Sequence, residues 1–97
     1  MPRKSKRQRE HAKENIKNLG VKILWEDFVW VLTNEYKARM GKKSGSVRTF
    51  YIEGAHPFNA HEPHGREPWV SKPDRVRARW AIEVSEAFKK AQEDTKK

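Results

Sequence analysis

Three histidines, His56, His61 and His64, fall within nine positions, with Glu53, Glu62 and Glu67 near them. Imidazole and carboxylate are donors a zinc centre uses, and three such ligands with an open fourth position would make metal-dependent hydrolysis, a nuclease for instance, conceivable. The spacing matches neither a helical His-Glu-x-x-His pair nor a finger pattern, and prolines separate the histidines. The preferred reading is a polar loop whose histidines hydrogen-bond or meet phosphate. No cofactor and no catalytic residue are expected on it, and zinc at His56, His61 and His64 is the alternative.

A second constellation is cationic. Eight of the 22 Lys and Arg residues lie in the first 22 positions against two acids, and the chain carries a formal charge of +9. Clustered cations gain by releasing the counterions condensed on a phosphate backbone, so the expected partner is nucleic acid, with duplex DNA slightly ahead of RNA. Three places could supply the contacts: an arm bearing Arg3, Lys4, Lys6, Arg7 and Arg9; the loop and strand with Lys42, Lys43 and Arg48; and the start of the last helix, with Lys72, Arg75 and Arg79. These are charges suited to phosphates rather than to base edges, which points to binding that largely ignores sequence. Phe50 and Tyr51 beside Arg48 could stack on unpaired bases, although strand alternation sends one of the two to the core.

The tryptophans offer a different function. Trp25 and Trp80 fall on core stripes, whereas Trp30 projects from the far side of the central helix and Trp69 follows Pro68 in a loop. Trp30 and Trp69 are candidates for a protein interface, where Trp is enriched. That gives the runner-up: a small interaction or assembly factor, with a protein partner or a second copy of itself.

These residues need a scaffold, and 97 residues allow one small domain. A mean hydropathy of −1.08 is low, but ten aromatics supply surface to bury. We expect a flexible basic arm over 1–8, a single domain over 9–92 and a frayed tail over 93–97. Ala12, Ile16 and Leu19 predict a thin helix ending at Gly20, with Glu10–Lys13 and Glu14–Lys17 pairs. Leu24, Phe28, Leu32, Tyr36 and Met40 at i,i+4 steps predict a central helix from about Trp25 to Met40, stopped by Gly41. Val47 to Glu53 reads as a strand that must find a partner in 21–24, in the neighbourhood of Trp69 and Val70, or in another chain.

Pro57, Pro63, Gly65 and Pro68 predict that 54–71 holds no regular element. Ser71 and Asp74 resemble a capping box opening a last helix to about Gln92, with Val76, Trp80, Val84, Ala87 or Phe88, and Ala91 facing the core. The sum is a predominantly helical α+β domain of about three helices, one short strand or β-hairpin and a long Pro/His-rich loop. There are no cysteines and hence no disulfides. No apolar run nears the length of a membrane span, so an intracellular protein without a membrane partner is expected.

Overall fold

Trp25 opens a helix because Glu26 and Asp27 place acids in its first turn, where the backbone N–H groups and the dipole favour negative charge. The computed structural model describes residues 6–41, 45–63 and 68–95. Its elements are α1 (Lys6–Asn15), α2 (Trp25–Asn34), β1 (Arg39–Met40), β2 (Val47–Tyr51), β3 (Phe58–His61) and α3 (Lys72–Thr95). The strands form one antiparallel sheet in the order β1-β2-β3. This is a small α+β domain with three helices, and its sheet has more strands than the hairpin expected.

The central helix is shorter than its stripe predicts. Thr33 Oγ1 donates to the Val29 carbonyl and Asn34 Nδ2 to that of Trp30, so side chains take over helical acceptors at the C-terminal end. Lys37 then adopts a left-handed φ of 56° and the Ala38 N–H returns to the Leu32 carbonyl. The chain is thereby turned back into β1, where Arg39 pairs with Tyr51 and Met40 with Phe50. The stop lies at Lys37 rather than at Gly41.

β3 overturns the expectation that 54–71 is irregular. Its Phe58 and Ala60 are buried while Asn59 and His61 face out, a period-2 pattern that Pro57 and Pro63 flank without interrupting. Gly54 makes the turn before it, at φ 87°, with Phe88 packed so closely that a Cβ there would lie 2.5 Å from the ring. The strand sought for β2 is therefore supplied by β1 and β3. The segments around Leu24 and Trp69 pair instead with each other, through an isolated bridge and the bonds Trp25 N–H to Pro68 O and Val70 N–H to Ile23 O.

One face of the sheet carries the core. Phe50 sits edge-on to Phe28 at 5.9 Å and stacks on Phe58 at 5.5 Å, and Val31, Leu32, Ile52, Ala60 and Ile82 close around the same interior. α3 lies along β3 and meets the core with small residues, Ala78, Ala81 and Ser85, beside Ile82. The predicted stripe is thus on the wrong side: Val76, Trp80 and Phe88 are exposed, Trp80 by 52 %. At 100° per residue the two faces differ by roughly 150°. Large apolar residues marked the outer face because the inner one is built for close approach and for hydrogen bonds.

α1 ends at Asn15, with Asn18 accepting from the Gly20 N–H in the turn that follows. Gly20 is not the left-handed stop expected of it. Ala12 and Ile16 are buried as predicted, but the lysines pair across elements, Lys13 with Glu35 and Lys17 with Glu86, both at 2.9 Å. These bonds raise the Lys13 and Lys17 ammonium groups above their usual range, and burial, with Glu86 adding, pushes the neighbouring Tyr36 phenol up as well. A group whose pKa is raised on folding stabilises below its unfolded value and loses that contribution as pH rises through the folded one. We therefore expect α1 to loosen in alkali, above about pH 10. In a Tyr51→Phe variant, phenolate absorbance should report Tyr36 titrating above a free tyrosine; titration at the free value would contradict this.

Candidate nucleic-acid interface

The cations proposed for phosphate contact separate into structural and exposed groups. Arg75 is only 7 % exposed and donates to the carbonyls of Leu19 and Val21, at 3.0 and 2.7 Å. It ties α3 to the chain after α1, so its guanidinium faces these carbonyls and not the phosphate contact expected of it. Arg48 is likewise buried, donating to Gly45 O, to Val47 O and to Glu62. It anchors the β1–β2 loop from within. Both are cations whose donors are directed inward.

Lys72 and Arg79 are exposed, as a contact surface requires. Lys72 makes no ion pair among the described residues, and Arg79 lies 3.6 Å from Glu83 along the helix, a spacing that gives little stabilisation at a solvated surface. Asp74 shares this first turn but points inward, 1 % exposed. Ser71 Oγ accepts from the Asp74 N–H, the first half of the capping box. The Asp74 carboxylate goes elsewhere, accepting from the His61 N–H at 2.9 Å and from Arg77 at 2.7 Å.

That bond fixes one histidine of the expected loop. His61 stands on β3 with Nδ1 3.3 Å from Asp74 Oδ1, while His56 lies parallel to the exposed Trp80 ring at 6.5 Å. Among the described residues no group of three or more His, Cys, Asp or Glu side chains is placed to hold a metal ion. The expectations for Arg3, Lys4, Lys42, Lys43 and His64 lie outside the described residues, as do the side chains of Lys6 and Arg7; these two begin α1.

What the sequence did not indicate is a pairing of surface cations with aromatic rings. Arg9 lies over Trp30 at 5.0 Å, Lys22 over Trp69 at 6.0 Å, and Arg39 over Tyr51 at 5.9 Å. Such approaches are weakly attractive where solvated. Trp30 is consequently half-covered and packed against the core rather than projecting from it. Tyr51, on the outward face of β2, and Trp69 stay exposed, and Phe50 takes the core position that alternation requires of one of them. Lys22 and Arg39 were hidden because one reads as a loop residue and the other as the end of a helix.

No protein-family model, curated protein or solved structure matches this chain. Among the described residues no helix is long and apolar enough to cross a membrane.

Proposed function

We propose that the chain binds nucleic acid, duplex DNA slightly ahead of RNA, through phosphate contacts that largely ignore sequence. The observation that carries this is the set of cations beside aromatic rings, Lys22 and Arg39 exposed and Arg9 partly covered, on a chain of net charge +9. Lys72 at the start of α3 adds a cation near the positive end of a helix dipole, and the basic residues of 1–8 extend the same charge. The acids do not cancel it. Glu35, Glu62, Asp74, Glu83 and Glu86 each face a cation of the fold itself.

Alanine substitution of Lys22, Arg39 and Lys72, one at a time, tests the surface. Each is expected to weaken binding about equally for two unrelated duplexes and to reduce the salt slope by about 1, as read by fluorescence anisotropy. Unchanged affinity in all three would remove this surface from consideration. The reading is of a binder and not an enzyme, without a bound metal.

One observation favours a second reading, a protein-interaction factor. The outward stripe of α3, with Val76, Trp80 and Phe88 exposed, is the kind of apolar surface that proteins use for association. It takes the place of the Trp30 patch expected from sequence. Sedimentation velocity separates the two: self-association lost in Trp80→Glu would favour the stripe, and a monomer at all concentrations would count against a second copy as the partner.

A further inference from the structure

A cleft of about 370 Å³ opens between α1 and the bridge that joins residues 23–25 to 68–70, a volume in the range of small-ligand sites. Trp69 forms one wall and is 40 % exposed. The hydrogen bonds that flank it on both sides fix its backbone at the mouth of the cleft. Lys22 stands over that ring, His11 enters from α1, and Ala12 and Ile23 give an apolar floor beside the buried Asp27.

The lining narrows the ligand. A wholly apolar molecule would leave the exposed Lys22 ammonium desolvated without recompense. A simple anion would make no use of the indole face and would be opposed by Asp27. A molecule with a flat aromatic face, an anionic group and N–H donors answers every wall.

We infer that the cleft takes one unstacked nucleotide at a strand end or overhang, its base lying on Trp69, its phosphate at Lys22 and His11, and its base N–H groups towards Asp27. A carboxylate accepts several donors, so this is compatible with the interaction Asp27 already makes. The inference rests on the nucleic-acid reading above and adds a preference that phosphate contacts alone do not give.

The test compares a blunt labelled duplex with the same duplex bearing a short 3′ overhang, and adds free GMP as a third probe. Stacking of one base on an aromatic ring predicts that the overhang binds about five-fold or more tightly. Trp69→Ala is expected to abolish that preference, read as the ratio of overhang to blunt affinity, and Trp69→Phe to retain it. Lys22→Ala, at an exposed position, should weaken overhang binding more than blunt binding and serves if the Trp69 variant is misfolded by circular dichroism. Equal affinity for the two duplexes in the wild type, or a preference that survives Trp69→Ala, overturns the inference. GMP binding that is lost in Trp69→Ala, without any duplex binding, keeps the cleft as a site for a free nucleotide and refutes only the nucleic-acid reading. If neither strands nor GMP bind, both fall.

Discussion

Phe50→Ala is expected to destabilise the domain by about 3–5 kcal/mol, measured as a shift in urea midpoint at unchanged slope. Phe50 is fully buried, and its ring is gripped by three others: Phe28 from α2, Phe58 from β3, and Trp25 edge-on at 6.2 Å. Those neighbours belong to elements fixed by their own backbone bonds. They cannot collapse into the space, so the cavity contribution is retained in full. The control is the next residue. Tyr51 points outward and is 42 % exposed, so Tyr51→Ala should cost no more than about 1 kcal/mol. Comparable losses at the two positions would mean that β2 does not have the register described.

Asp74→Ala should rank next, at about 3 kcal/mol, because a buried carboxylate that accepts charge-assisted bonds is removed together with the acceptor of a backbone donor. The His61 N–H lies on the edge of β3 that no strand among the described residues covers. Asp74 provides its acceptor and thereby docks the first turn of α3 onto the sheet. Arg77 is half exposed and can return to water, so Arg77→Ala should cost far less, under about 1 kcal/mol. Asp74→Asn keeps the shape and one acceptor oxygen, and is expected to fall between. Thermal unfolding of the three variants gives the order; an Arg77→Ala effect equal to that of Asp74→Ala would show that the ion pair, and not the strand edge, is what matters. Slowed exchange of the His61 amide in the wild type, lost in Asp74→Ala, would locate the effect at that bond.

Much of this architecture is legible in the chain. The acids after Trp25 and the alternation through Phe50 and Tyr51 are local signals that the structure realises, and of the Ser71–Asp74 capping box it realises the Ser71 half. What is not legible depends on partners far along the sequence. β1 is two residues long and exists because Tyr51 and Phe50 pair with it, so no window around Arg39 and Met40 could announce it. The helical stripe through Tyr36 and Met40 runs past a stop made by Thr33, Asn34 and the left-handed Lys37, none of which is a glycine or proline.

α3 misleads for a different reason. Hydrophobicity marks Val76, Trp80 and Phe88, whereas the sheet accepts Ala78, Ala81 and Ser85, whose hydroxyl donates to the Glu53 carbonyl at 2.6 Å. Close approach of backbones selects small residues, which hydropathy scarcely registers. The same blindness affects the cations. Arg48 and Arg75 look like surface charges in sequence, and only the carbonyls and the carboxylate around them show that they hold loops together. Lys22 and Arg39 carry no signal of their own; their significance comes from the rings beneath them.

The most direct test of the central claim is affinity for duplex DNA, single-stranded DNA and RNA across a salt series from about 50 to 200 mM, with the full chain. Counterion release predicts a linear fall of log affinity with log salt, with a slope of about −0.9 for each phosphate neutralised on duplex DNA. The account predicts a slope corresponding to several phosphates and little difference between duplexes of unrelated sequence. Negligible affinity for all three at low salt, or binding that does not weaken as salt rises, would contradict it.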